Sequence, residues 1–158
     1  MSVPLPRVRH WAALPMFVLA VALVAVAGSL SSASTGSQYI ALAKPTFAPS
    51  PWLFGPVWTI LYCLIAVAGW LAWSARGWTP AMGVYTAQLL LNAAWTPLFF
   101  TADQYGLAFA DISLLWLLIV ANVVLFWQIR RAAALLLLPY LLWVTYAAAL
   151  NLAIWQLN

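Results

Sequence analysis

The sequence predicts an all-α, polytopic membrane protein: one domain over residues 1–158, built as a bundle of five transmembrane helices. Three observations predict it. Hydrophobic residues make up 67% of the chain and charged residues 5%, against about 25% charged in a typical soluble domain. Six Lys or Arg and two Asp or Glu are too few to furnish a water-facing surface. The apolar residues also gather in five runs, each long enough for the roughly 20-residue helix that crosses a bilayer. These runs, residues 114–120 and 132–138 among them, do not alternate polar with apolar, which argues against a transmembrane barrel. The net charge of +4 comes from scattered cations that form no basic face, so no nucleic-acid partner is expected.

The first helix is placed at about 11–30, uncharged and preceded by Arg7 and Arg9. Ser31-Ser32-Ala33 looks like a signal-peptidase site, so a cleaved leader is the alternative, although the apolar core exceeds the usual 7–15 or so residues. A loop follows at about 31–53. Pro45, Pro49 and Pro51 lack amide protons and fix φ, so the stretch 44–52 within the loop is read as a stiff, non-helical arm. It is either a lid or a plain connector with an aromatic anchor. The second helix runs over about 54–74. The third, about 80–100, begins with Pro80 in the first turn, where proline is tolerated. The fourth, about 106–129, holds one charge, Asp111, and the fifth, about 132–155, holds none. With the N-terminus inside and the C-terminus outside, Arg7, Arg9, Arg76, Arg130 and Arg131 face inward and only Lys44 outward, as the positive-inside rule prefers. His10 reads as an interface residue.

Polar side chains in lipid are costly unless partnered, so they mark bundle interiors or sites. On the third helix Tyr85, Gln88, Asn92 and Trp95 share one face. They are either interhelical hydrogen-bonding groups or the polar wall of a ligand pocket. Trp58 and Tyr62 stand one turn apart on the second helix, in line with Ala66, Gly69 and Trp73. Trp143, Ala147 and Asn151 line up on the fifth, and Asp111 and Asn122 share a face of the fourth. Small residues beside tryptophan leave a gap that suits a flat apolar guest. Of the 11 Trp, Trp11, Trp52, Trp78, Trp127 and Trp155 lie near helix ends and fit an interfacial belt. Trp58, Trp95, Trp116 and Trp143 lie further in. Cys63 is the sole cysteine, so an intrachain disulfide or a cysteine-based metal site is excluded. No metal spacing, phosphate loop or acid–base constellation occurs. No required cofactor and no metal are expected, and binding is expected rather than conventional catalysis.

The motifs, in order and spacing, resemble the tryptophan-rich sensory protein / translocator protein (TspO/MBR) family. They are Lys44-Pro45 with Phe47 and Pro49, then Trp52-Leu53-Phe54-Gly55-Pro56-Val57-Trp58 through Tyr62. Gln88 through Asn92-Ala93-Ala94-Trp95-Thr96-Pro97 follows, then Pro139-Tyr140-Leu141-Leu142-Trp143 through Leu150-Asn151. The resemblance implies a five-helix bundle, a homodimer, and a pocket under the first loop that binds a porphyrin such as protoporphyrin IX or a haem-like tetrapyrrole. It places the first helix in the bundle and favours a bacterial cell membrane. By motif, Trp58, Tyr62, Asn92, Trp143, Ala147 and Leu150 fall on pocket positions, and Phe47 and Trp52 on the aromatics that cover the site. Gln88 and Trp95 join them as polar-face neighbours. Two alternatives come with the resemblance: light-dependent porphyrin degradation at Trp58 and Trp143, and translocation of porphyrins or sterols. Many relatives carry Trp where Phe47 stands and proline where Ser50 stands, so a looser lid is expected. No Lys or Arg follows Arg131, so the animal cholesterol motif is absent and a sterol is the weaker ligand candidate.

Overall fold

A computed structural model describes residues 8–33 and 36–158. Arg7, used above for orientation, lies outside them, as do Ser34 and Thr35 of the loop. The described residues form helices α1 (Val8–Trp11), α2 (Leu14–Ala33), α3 (Gly36–Ala41), α4 (Phe54–Arg76), α5 (Pro80–Phe100), α6 (Tyr105–Ile129) and α7 (Arg131–Leu157), with a 3₁₀ turn at Pro51–Leu53. There is no strand among them.

The five long helices fall where they are expected, with shifted ends. The first begins at Leu14 rather than near Trp11. Pro15 has no amide to donate and is comfortable only in a first turn, so the chain restarts there after the short α1. That helix then runs three residues past the expected end. The serines stay helical because Ser31 Oγ donates to Ala27 O (2.9 Å) and Ser32 Oγ to Gly28 O (3.0 Å), a back-bond open to serine within a helix. Helix α4 stops at Gly77, whose φ of 66° is the left-handed geometry glycine adopts readily. Its N–H reaches Trp73 O at 2.6 Å. One extended residue, Arg130 (φ −155°, ψ 112°), separates α6 from α7.

Within the loop, α3 (Gly36–Ala41) lies ahead of the expected arm at 44–52, and only the last two residues of that arm turn helical, in the 3₁₀ turn at Pro51–Leu53. A six-residue helix leaves its last carbonyls without partners, and Lys44 supplies them. Its ammonium donates to Tyr39 O (2.9 Å), Ile40 O (2.8 Å) and Leu42 O (3.1 Å).

The long helices pack as a closed ring in the order α2, α4, α7, α6, α5 and back to α2. Trp70 Nε1 donates to His10 O at 2.7 Å and ties the start of the chain to the end of α4. That end of the bundle carries Arg76, Arg130 and Arg131. The opposite end carries α3, the loop, Lys44 and Asp103.

On length and apolarity alone, four of the five expected spans qualify among the described residues: 14–32, 51–76, 105–129 and 131–157. Helix α5 is long enough but too polar. The reason is its inner face, where Tyr85, Gln88 and Asn92 are buried against neighbouring helices rather than shown to lipid.

The interior is filled rather than hollow along the arginine half. Tyr85 lies against Gly69, where a Cβ would stand 2.5 Å from the tyrosine Cζ, and its hydroxyl donates to Ile65 O at 3.0 Å. The gap anticipated beside Ala66 and Gly69 is therefore occupied by the protein itself. The five tryptophans assigned to helix ends, Trp11, Trp52, Trp78, Trp127 and Trp155, are all exposed.

Candidate functional site

A cavity of about 400 Å³ opens at the loop end of the ring. Three helices and the loop build it. Helix α2 contributes only small residues, Ala25, Gly28, Ser29 and Ser32. Helix α4 contributes Phe54, Gly55, Trp58, Thr59 and Tyr62. Helix α5 contributes Trp95, Thr96 and Phe100, and Tyr39 and Pro51 close it from the loop side. None of these lining residues is charged, so the surface is aromatic and hydroxylic.

The aromatic wall is held rigidly. Trp58 and Tyr62 stack at 5.2 Å and 29°, because one helical turn puts them side by side. The Tyr62 hydroxyl donates to Asn92 Oδ1 (3.1 Å), Asn92 Nδ2 to the Tyr140 hydroxyl (2.8 Å), and that hydroxyl to Gln88 Oε1 (2.9 Å). Trp95 Nε1 donates to Asn151 Oδ1 (2.9 Å), whose Nδ2 reaches Tyr105 O at 2.9 Å. Two lining hydroxyls, Ser32 and Thr59, donate to carbonyls of their own helices. Tyr39 is 5% exposed, and its buried hydroxyl has no partner among the described residues. Burial, with a smaller contribution from Tyr146, raises its pKa above that of an ordinary phenol, so it is a neutral donor beside the cavity.

A second void of about 10 Å³ lies behind the first. It is lined by Phe99, Ala147, Leu150 and Asn151, and shares Tyr39, Phe54, Trp95 and Phe100 with the large cavity.

The sequence-predicted residues sort by place. Trp58, Tyr62 and Trp95 are in the cavity wall. Asn92 and Gln88 stand behind it, joined through Tyr140, so their amides brace the wall rather than line it. Ala147 and Leu150 line the small void. Trp143 lies beyond Phe54, with ring centroids 6.0 Å apart and nearly perpendicular, and its Nε1 is buried without a partner among the described residues. Phe47 and Trp52 do not line the cavity. Trp52 is 73% exposed, and Phe47 packs on Tyr146 at 6.3 Å. Nor is Lys44 a free cation at the mouth, since its ammonium is spent on the end of α3. Trp116, counted above among the inner tryptophans, bonds Thr145 across α6 and α7 at 2.8 Å.

Sequence reasoning missed Tyr39, Phe54, Thr96 and Phe100 as wall residues, and missed the small face of α2. The one available signal was Ala25, Gly28, Ser29 and Ser32, small residues that recur at helical spacing on an otherwise apolar helix.

Residues 16–156 match the TspO/MBR family. The chain is 36% identical to the human "Translocator protein" over 94% of its own length and 91% of the relative's. It is 39% identical to the "Tryptophan-rich protein TspO" of Archaeoglobus fulgidus, covering 89% of the chain and 94% of the relative. It is 33% identical to "Protein CrtK" of Rhodobacter capsulatus, covering 92% and 94%.

Proposed function

The chain belongs to the TspO/MBR family, and on that premise we propose that it is an integral membrane protein that binds a porphyrin in the loop-end cavity, acting as a sensor or regulator. One observation carries this reading: an uncharged cavity of about 400 Å³ with the stacked Trp58–Tyr62 pair and Trp95 in its wall. Such a surface offers planar π-faces to a flat apolar guest. The chemistry of the donor set fits a tetrapyrrole such as protoporphyrin IX or a haem-like relative. Trp58, Tyr62 and Trp95 would meet the macrocycle, and the unpartnered Tyr39 hydroxyl would donate to a polar group on its rim. The carboxylates would sit at the open side, since the wall has no cation to pair them. A sterol has no flat π-face to stack and is the weaker candidate.

The cation distribution supports an orientation in the bilayer. Arg76, Arg130 and Arg131 lie at the end opposite the loop, so the positive-inside rule puts the N-terminus and these arginines inside, with the cavity mouth and the C-terminus outside. A bacterial cell membrane and a homodimer complete the proposal.

The test is a titration of the purified protein with protoporphyrin IX in detergent, in the dark, read by tryptophan quenching and porphyrin absorbance. Saturable binding is expected. Trp58→Leu removes one stacking face and should weaken it about three- to tenfold. Trp127→Leu, an exposed tryptophan near the arginine end, should leave it unchanged. Equal effects from both substitutions would move the site elsewhere.

A further inference from the structure

Both voids are walled by the same four aromatics, Tyr39, Phe54, Trp95 and Phe100. The four are not equally fixed. Trp95 is held by its bond to Asn151 and stacks on Phe99 at 5.1 Å. Phe100 packs against both of those rings, at 6.0 Å and 4.9 Å. Phe54 has no polar atom to anchor it, and the Tyr39 hydroxyl has no partner among the described residues. These two meet edge to face at 5.7 Å and 85°. Phe54 is the first residue of α4, where the chain leaves the 3₁₀ turn, and Tyr39 belongs to α3 in the loop. This half of the partition therefore belongs to the first residue of α4 and to the short helix of the loop.

We propose that the Phe54 ring, backed by Tyr39, is a divider that sets how large a guest the site accepts. The inference rests on reading the loop-end cavity as the ligand site. With the ring in place, a guest reaches Trp58 but not Trp143, because Phe54 stands between the two sides, edge-on to Trp143. With the ring turned aside, the large cavity joins the void along Ala147 and Leu150, and a larger guest spans from Trp58 toward Trp143. Phe54 is thus a specificity-determining residue: its bulk favours small planar ligands over large ones.

Two measurements test this on the full chain. The first needs no ligand. In a Cys63→Ser background, Leu150→Cys is labelled with N-ethylmaleimide, with Phe or Ala at position 54. The divider predicts slow labelling with Phe54, about tenfold or more faster labelling with Phe54→Ala, and an intermediate rate with Phe54→Leu, which also serves if the alanine variant folds poorly. Equal rates overturn it. The second compares affinities for protoporphyrin IX and for the bicyclic 2-naphthol. Phe54→Ala should shift the ratio toward the porphyrin by about tenfold or more, the order of discrimination that small volume changes in an apolar pocket provide. A ratio that stays constant while both affinities change together overturns it. If labelling accelerates but no variant binds porphyrin, the divider stands and the porphyrin reading falls.

Discussion

Gly69 makes room for the Tyr85 side chain to reach from α5 to α4. Its missing side chain is the space into which the Tyr85 ring fits, and that fit lets the tyrosine hydroxyl reach Ile65 O. A methyl at 69 would stand 2.5 Å from Cζ and 2.6 Å from the hydroxyl oxygen, and the phenol cannot retreat without losing its bond and its stack on Phe126 at 6.0 Å. Gly69→Ala should therefore cost about 1–3 kcal/mol, the usual penalty for overpacking a filled core, read as a lowered unfolding midpoint in detergent. Gly83→Ala, with nothing within 4 Å of the added carbon, should not lower it. The same pair shows what single residues disclose before folding. A buried amide such as Asn92 is legible because lipid cannot satisfy it, and the structure gives it Tyr62 and Tyr140. The space beside Gly69 was misread, because a small residue marks a close approach without saying whether a guest or a neighbouring ring fills it. Trp58 was legible as an inner residue. Trp52 and Phe47, assigned by motif to cover the site, stand outside the cavity, because motif position does not dictate which way a loop side chain turns.

At the scale of elements, the loop is fastened to α7 at two points. The Tyr146 hydroxyl donates to Phe47 O at 2.7 Å. Asn158 forms a reciprocal pair with the backbone of Ala43, accepting its N–H at 3.1 Å and donating to its carbonyl at 3.0 Å. These bonds hold the segment that follows α3, and α3 carries Tyr39 against the cavity. Each is exposed, so each contributes only about 0.5–1.5 kcal/mol, and together they make a light clasp. Tyr146→Phe with Asn158→Ala should speed amide exchange across residues 42–50 and raise the dissociation rate of bound porphyrin about tenfold, with amide exchange in the core of α6 unchanged. Unchanged exchange in 42–50 would show that the prolines alone keep the loop in place. The long helices were legible to within a few residues from apolar run length and Pro80. Helix α3 was not. A helix of six residues is unstable by propensity alone, and what stabilises it, the Lys44 ammonium on its last carbonyls, is a local contact invisible to hydropathy. Phe54 and Tyr39 escaped notice for a related reason: a partition exists only where two elements meet.

At the scale of the molecule, the ring makes a demand on α5 that α5 cannot meet alone. Helices α4, α6 and α7 are apolar enough to span a membrane by composition, and α5 is not. Its buried face holds Gln88 and Asn92, which find partners only on α4 and α7: Tyr62 lies on the first and Tyr140 on the second. Stable placement of α5 in the bilayer thus depends on neighbours that come both before and after it in the chain. As isolated segments in a membrane-insertion assay, α4, α6 and α7 should insert efficiently and α5 poorly. Gln88→Leu with Asn92→Leu should reverse that for the isolated segment, because leucine contributes about −0.3 to −0.6 kcal/mol at a helix centre and two amides no longer need partners. In the whole protein the same pair should act in the opposite sense. It removes all three bonds of the Tyr62–Asn92–Tyr140–Gln88 chain and leaves the partly buried Tyr62 and the buried Tyr140 phenols without their interhelical partners, at about 0.6–2 kcal/mol per bond. The unfolding midpoint of the full chain should fall, and porphyrin binding should weaken as the Tyr62 ring under Trp58 loses its brace. If the substitutions stabilise the full chain as well as the segment, the amide network is not what holds α5 in the ring, and the apolar contacts of α5 with α6 and α2 must do so unaided.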